Sequence, residues 1–171
     1  VSWKVVPAAT SYQIYRSTAK DGDYQNIKTI NSVGTSSWTD GSVKTGKTYY
    51  YKIKTVVKTQ NGEQTSGFSN VKSAKAVPAK TTLKASDAKN VKLTWSKVKG
   101  ASGYEIYRSN SKDGKCSKVK TISKGSTTSY KNGKLKKSTT YYYKIRAYRK
   151  VNGKKVYGSY SSVVSVKTKA K

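Results

Sequence analysis

The sequence predicts an all-β chain organised as two tandem β-sandwiches, and three observations carry that prediction. Apolar and polar residues alternate with a period of two, turn residues interrupt the runs every 8 to 12 positions, and the whole pattern occurs twice. Helical periodicity is absent.

The repeat sets the domain organisation. A shift of 92 residues superimposes Trp3 on Trp95, Tyr12 on Tyr104, Ile14-Tyr15-Arg16-Ser17 on Ile106-Tyr107-Arg108-Ser109, and Thr48-Tyr49-Tyr50-Tyr51-Lys52-Ile53 on Thr140-Tyr141-Tyr142-Tyr143-Lys144-Ile145. Over residues 1 to 56, 24 positions are identical, and a match that keeps register across successive segments marks two copies of one unit. One residue of register is lost between Asn61-Gly62 and Asn152-Gly153 and regained at Ser69 and Ser161, so the length change lies in a turn. Pro78 lacks a backbone donor and fixes φ, which suits a short link near Val77-Pro78-Ala79 and gives units 1–77 and 78–171.

In the second copy, Val91, Leu93 and Trp95 alternate with Lys92 and Thr94, and Tyr104 and Ile106 alternate with Glu105 and Tyr107. Strands are expected at 82–86, 90–96, 103–109, 116–122, 127–130, 140–149 and 158–168, seven in all. Asp21-Gly22, Asp113-Gly114, Asn61-Gly62 and Asn152-Gly153 read as hairpin ends in which glycine takes positive φ. The first copy has no equivalent of residues 82 to 90. Its opening strand is expected to be missing and its second clipped, with a longer parent chain supplying the segment.

Trp95, the run Gly103-Tyr104-Glu105-Ile106-Tyr107-Arg108 and the run Thr140-Tyr141-Tyr142-Tyr143-Lys144-Ile145-Arg146-Ala147 resemble the fibronectin type III domain. Ala101-Ser102-Gly103-Tyr104, Tyr107-Arg108-Ser109 and Asp113-Gly114 are similar to its tandem form on secreted or cell-surface proteins of Gram-positive bacteria. The resemblance implies a seven-stranded immunoglobulin-like β-sandwich in each copy, the first lacking its opening strand. It implies that Trp3 and Trp95 fill the cores and that Tyr49 and Tyr141 form the tyrosine corner. Tyr51, Ile53 and Thr55, then Tyr143, Ile145 and Ala147, would follow as inward positions. The family's Pro before the corner is replaced by Thr45-Gly46 and Lys137-Ser138. Read on their own, large rings among alternating apolar positions are core material, and the corner hydroxyls are expected to find backbone acceptors.

Composition excludes much chemistry. With no His, no Met and one Cys among 171 residues, the chain has no His-based acid/base relay, no His-containing zinc site and no intrachain disulfide. The acids Asp21, Asp23, Asp40, Glu63, Asp87, Glu105 and Asp113 are scattered and read mostly as turn residues. Calcium at Asp21 and Asp23 is set aside because Lys115 replaces the second acid in the other copy. Cys116 has no His to activate it and reads as a partly buried small hydrophobe. Glycines are isolated rather than clustered to cradle phosphate. No catalytic residue, metal or cofactor is expected, and no run reaches the ~18 apolar residues that cross a bilayer.

Charge is what the chain has in excess. Lys and Arg number 36 against 7 acids, +29 overall, and residues 79 to 171 hold 25 bases against 3 acids, +22. Such a field attracts polyanions without a shaped site. If Tyr49 and Tyr51 point inward, Tyr50 and Lys52 point outward, as do Tyr142, Lys144 and Arg146 in the second copy, with Tyr15 and Tyr107 on the neighbouring strand. Cross-strand packing of Tyr and Lys stabilises a wet sheet face by itself. The sharper expectation is a binding face of Tyr107, Tyr142, Tyr148 and Arg146 with Lys144, mirrored by Tyr15, Tyr50 and Lys52.

These readings predict a non-catalytic, extracellular spacer and adhesion module, secreted or attached to a cell surface through regions outside this chain. The alternative is a module that binds carbohydrate or an anionic cell-wall polymer through the second copy's basic, Tyr-bearing face. A third concerns the parent chain alone, as an accessory module of a surface hydrolase. Expected partners are neighbouring domains of that parent, surface glycans, teichoic acid-like polyanions or a host protein. Specific nucleic-acid recognition is not expected.

Overall fold

A computed structural model describes residues 1–86 and 90–169, and the chain divides into two units, Val1–Ala76 and Val77–Lys171. The division falls one residue before the expected link. Asp87, read above as a turn acid, lies outside the described residues.

In the first unit, β1 (Ser11–Ser17), β2 (Gln25–Ile30), β3 (Thr48–Thr59), β4 (Gly62–Thr65) and β5 (Lys72–Lys75) form one antiparallel sheet in the order β2-β1-β3-β4, with β5 also on β3. Opposite it, among the described residues, stands only the bridge Ser2↔Ser37, backed by Trp3 N–H donating to Ser36 O. The inner face therefore opens into a groove of about 1130 Å³ lined by Trp3, Tyr12, Tyr49, Tyr51 and Ile53. Trp3 and Ile53, expected as core, are half-buried as a result, whereas Tyr49 and Tyr51 are buried.

The second unit is a complete sandwich. One sheet has the order β10-β7-β6, from β6 (Leu83–Ser86), β7 (Val91–Trp95) and β10 (Ser129–Asn132). The other has the order β12-β11-β8-β9, from β8 (Gly103–Ser109), β9 (Ser117–Ile122), β11 (Thr140–Val151) and β12 (Lys154–Tyr157), with β13 (Val164–Lys167) also on β11. Leu93, Trp95, Tyr104, Ile106, Tyr141, Tyr143, Ile145 and Ala147 pack between the sheets as one core. Large inward rings on facing strands fill this space, and truncating Trp95 to Ala should cost about 3–5 kcal/mol.

The last strand differs from the expected 158–168. Pairing with β11 begins earlier, at Lys154, stops after Tyr157 and resumes at Val164. Between them Ser161 Oγ accepts from Ile145 N–H at 3.1 Å and its own N–H donates to Ile145 O, so a side chain replaces one rung of the ladder. Gly158, directly after β12, still donates to Ala147 O at 2.9 Å, and it must be glycine because a Cβ there would stand 2.3 Å from Pro78 O.

Two turn expectations need correction. Asn152 (φ 48°) and Gly153 (φ 76°) do form a left-handed hairpin end, and Gly62 (φ 111°) does likewise. Gly22 and Gly114 close the β1–β2 and β8–β9 connections without positive φ. Their need for glycine is steric: a Cβ on Gly114 would lie 2.7 Å from Ser109 Oγ. The corner tyrosines also differ from expectation, because their hydroxyls accept rather than donate. Tyr49 Oη takes the Lys44 N–H and Tyr141 Oη the Lys136 N–H, each at 3.0 Å. In place of the family's Pro, Gly46 (φ 91°) and Ser138 (φ 49°) occupy equivalent left-handed positions.

Ser138 holds a conformation that a side chain disfavours and that glycine adopts freely, so Ser138→Gly should stabilise the second unit by about 0.5–1 kcal/mol in denaturant titration. Tyr141→Phe leaves the Lys136 N–H without its partner and should destabilise by about 1–3 kcal/mol in the same assay.

Candidate functional site

The outward face of the second unit's larger sheet is set by the register between β8 and β11. Tyr142 pairs with Ser109, Lys144 with Tyr107, Arg146 with Glu105 and Tyr148 with Gly103. Because the alternate residues Tyr141, Tyr143, Ile145 and Ala147 are buried inside, these partners share the outer face. The expected Tyr107, Tyr142, Lys144 and Arg146 are thus brought together, each half-buried.

Tyr148 is on this face but is not available for contact. Only 1% exposed, it lies over the side-chain-free Gly103 and donates to Ile122 O at 3.3 Å. A Cβ on Gly103 would stand 2.6 Å from the Tyr148 hydroxyl. The ring is packing material, which corrects its assignment as a contact residue.

At the centre is Glu105, read from sequence as one of the scattered acids. It is in mid-strand and 0% exposed. Arg146 Nη2 donates to its Oε2 at 2.8 Å and Lys155 Nζ to its Oε1 at 3.0 Å, while Lys118 Nζ stands 3.5 Å from Oε1. The hydroxyls of Tyr107 and Tyr157 donate to the same carboxylate at 2.8 and 3.2 Å. Burial pushes the carboxyl pKa up, but the bonds from Arg146, Lys155 and Tyr107 outweigh it and bring it down to about 2. A buried carboxylate tolerates its desolvation only when partners satisfy it in this way.

Aromatic rings hold the cations from the other side. The Arg146 guanidinium lies 3.7 Å from the Tyr157 centroid and 4.9 Å from that of Tyr160. Lys144 Nζ sits 4.5 Å over Tyr160 and Lys155 Nζ 4.5 Å over Tyr148. Tyr107 meets Tyr160 edge-on at 5.2 Å. Burial, the Tyr160 bond and Glu105 together push the Tyr107 phenol well above its usual range.

The first unit carries a reduced version. Tyr15 pairs with Lys52 and Gln13 with Lys54, Tyr15 donates to Gln13 Oε1 at 2.9 Å, and Lys52 lies 4.2 Å over Tyr24. Tyr50 is half-buried on the same face. Gln13 stands where the second copy has Glu105, and Asn26 where it has Lys118. Asp40, expected in a turn role, accepts the Ser42 N–H at 2.9 Å in the turn that follows it and also binds Arg16 at 2.7 Å and the Tyr51 hydroxyl at 2.9 Å. Cys116 is half-buried and free.

Sequence reasoning missed Glu105, Lys118, Lys155, Tyr157 and Tyr160. Glu105 was visible as a charge between two core residues, Tyr104 and Ile106, a position that reads as solvated. Only the cross-strand register, which puts Arg146 opposite, shows that it is enclosed.

Two strand-paired units with tyrosine corners and the sheet orders above constitute the fibronectin type III fold in tandem, an immunoglobulin-like β-sandwich architecture. In comparison with solved structures, the chain is similar to the chicken interferon gamma receptor alpha chain, at 12% identity over 96% of this chain and 88% of that one, with a TM-score of 0.60. It also matches the FN1-FN3 domains of chicken CNTN1, at 19% identity over 93% of this chain and 56% of that one (TM-score 0.45). A Fn3-like protein from Clostridium thermocellum matches at 26% identity over 54% of this chain and 92% of that one (TM-score 0.43). Among curated proteins, an amylopullulanase of Thermoanaerobacter thermohydrosulfuricus is 43% identical over 56 residues, which are 33% of this chain and 4% of that enzyme. No protein-family model matches. Among the described residues, no helix is long and apolar enough to cross a membrane.

The Glu105 cluster makes stability depend on pH. A carboxyl with a depressed folded pKa stabilises the fold above its unfolded pKa, near 4.3, and that contribution is lost as pH falls towards 2. Wild-type stability should fall by on the order of 3 kcal/mol between pH 5 and 2 through this group, and Glu105→Gln should flatten the profile in that window. Urea titrations at stepped pH measure the difference.

Proposed function

We propose that this chain is a non-catalytic spacer and adhesion pair, carried extracellularly within a larger bacterial secreted or cell-surface protein. The observation that carries the reading is that the acids with buried carboxylates are committed to the fold. Asp40 is bound by Arg16, Ser42 and Tyr51, and Glu105 by Arg146, Lys155, Tyr107 and Tyr157. A general acid or base needs a proton it can exchange with a substrate, and neither carboxylate is free to do so. The short likeness to a segment of a much longer amylopullulanase supports a place among the modules of a multidomain chain. Fold alone assigns no ligand. Incubated with a panel of neutral and acidic polysaccharides, the chain should release no new reducing ends, and measurable hydrolysis would overturn this reading.

A second reading is favoured by the charge of the second unit and its basic, Tyr-bearing face: a module that holds carbohydrate or an anionic wall polymer. Surface glycans and teichoic acid-like polymers fit that chemistry, and a host protein with an acidic surface would use the same contacts.

A further inference from the structure

The two copies supply an internal comparison at the same face. Around Glu105 the second unit places four cations, Lys118, Lys144, Arg146 and Lys155, a local charge of +3. Strand pairing puts Glu63 of the first unit where the second has Lys155, and Asn26 replaces Lys118. With Lys52 and Lys54 against Glu63, the first unit's face holds +1. Glu63 is moreover paired outward, with Lys58 at 3.0 Å.

The second face is also held in place. Arg146 is turned inward onto Glu105 and the rings, with its side chain 21% exposed. Lys118 and Lys155 keep 48% and 30% of their side-chain surface open, while Lys155 Nζ donates to Glu105 and Lys118 Nζ forms an ion pair with it at 3.5 Å. Lys144 rests on Tyr160. Long lysines ordinarily lose rotamer freedom when they bind a ligand, and here contacts within the protein have already removed much of it.

The rings divide into two groups. Tyr148, Tyr157 and Tyr160 have cations over their faces, so they form no open platform for the base stacking that single-stranded nucleic acids use. The Arg146 fork, already engaged by Glu105 and Tyr107, is not available for bidentate phosphate recognition. Tyr142, half-buried and two residues from Lys144 on the same face, has no cation over its ring among the described contacts. From Tyr142 to Tyr148, β11 presents roughly 20 Å of outer face at about 3.4 Å per residue. That length accommodates an extended polymer.

We infer that the outer face of β8, β11 and β12 is a binding site for an extended acidic glycan, whose anionic groups contact Lys118, Lys144 and Lys155 while a sugar ring packs on Tyr142. It rests on the second reading above and names its ligand class. Glu105 is the positioning residue: it touches no ligand but holds Lys118 and Lys155 in one arrangement. The first unit shows that an amide is compatible with this position, since Gln13 occupies it there.

This assignment gives Glu105→Gln an unusual sign. Removing a negative charge tightens polyanion binding at a surface that acts only through net charge. At an organised site, the same change releases the lysines and weakens binding.

The test is calorimetric or interferometric binding of the full chain to polygalacturonate, with polyphosphate as the sugar-free polyanion and dextran as the uncharged glycan, at 50 and 200 mM salt. Polygalacturonate should bind with salt-dependent affinity, and Lys118→Ala/Lys144→Ala/Lys155→Ala should weaken it at least tenfold. The charge-matched Lys20→Ala/Lys47→Ala/Lys75→Ala variant, exposed positions of the first unit, should change it less than twofold. Glu105→Gln should weaken binding about threefold or more, and Tyr142→Ala should lower affinity for polygalacturonate but not for polyphosphate. Circular dichroism of each variant separates lost binding from lost folding. Absence of binding to polygalacturonate, polyphosphate and dextran alike at low salt overturns the inference and the second reading together, whereas binding of dextran without polygalacturonate overturns the inference and leaves the second reading. Equal weakening by both triple variants, or tighter binding by Glu105→Gln, leaves a charged surface and overturns the site. Equal loss of polyphosphate binding in Tyr142→Ala overturns the glycan as ligand.

Discussion

The arrangement of the second unit depends on one constraint: residues 141–148 of β11 must serve two faces, an inner one that is buried and an outer one that is partly covered. The inner set, Tyr141, Tyr143, Ile145 and Ala147, closes the sandwich against Leu93 and Trp95. Its outer set meets Glu105 and the rings of β12 and the following loop. A slip of one residue would drive Lys144 and Arg146 into the core and the tyrosines into water, so register is strongly specified. The outer cluster adds to that specification, because this register brings Arg146 together with Lys155, Tyr107 and Tyr157 onto a carboxylate buried on that face.

Comparison of the two copies separates scaffold from variation. The tyrosine corner, the Tyr15 and Tyr107 positions, and the stacking of Arg16 on Tyr49 and Arg108 on Tyr141 recur. Inside, Asp40 of the first unit corresponds to Asn132 of the second, and each accepts from the neighbouring Arg and Tyr. Outside, Gln13 and Glu105 differ by one charge, and the surrounding cations differ with them. Ser11 and Val56 pair where Gly103 and Tyr148 pair in the other copy, so a small residue and a large one have exchanged volume across the same rung.

Much of this was legible in the sequence. The 92-residue repeat gave two units, the alternation gave the strands, and Trp95, Tyr49, Tyr141 and Ile145 were recognisable as core because each sits in phase with apolar neighbours. The outward direction of Tyr107, Tyr142, Lys144 and Arg146 followed from the same phase. Contact across strands was not legible. Glu105 is enclosed by residues up to 52 positions away, and alternation reports which face a side chain takes, not what covers it. Tyr148 failed for the same reason: its face was right, but its burial depends on Gly103 one strand over. The requirement for glycine at 158 depends on the approach of Pro78, which no local pattern signals.

The most direct measurement of the central claim is the ionisation of Glu105 in the folded chain, followed through its side-chain carboxyl carbon by NMR as pH is lowered. If the carboxylate is enclosed by Arg146, Lys155 and the two tyrosine hydroxyls, its resonance stays at the ionised position through pH 4 and begins to move only near pH 2 to 3, together with loss of the native spectrum. A midpoint near the ordinary value of about 4.3 with the fold intact would place Glu105 in water and contradict the organisation of the whole outer face.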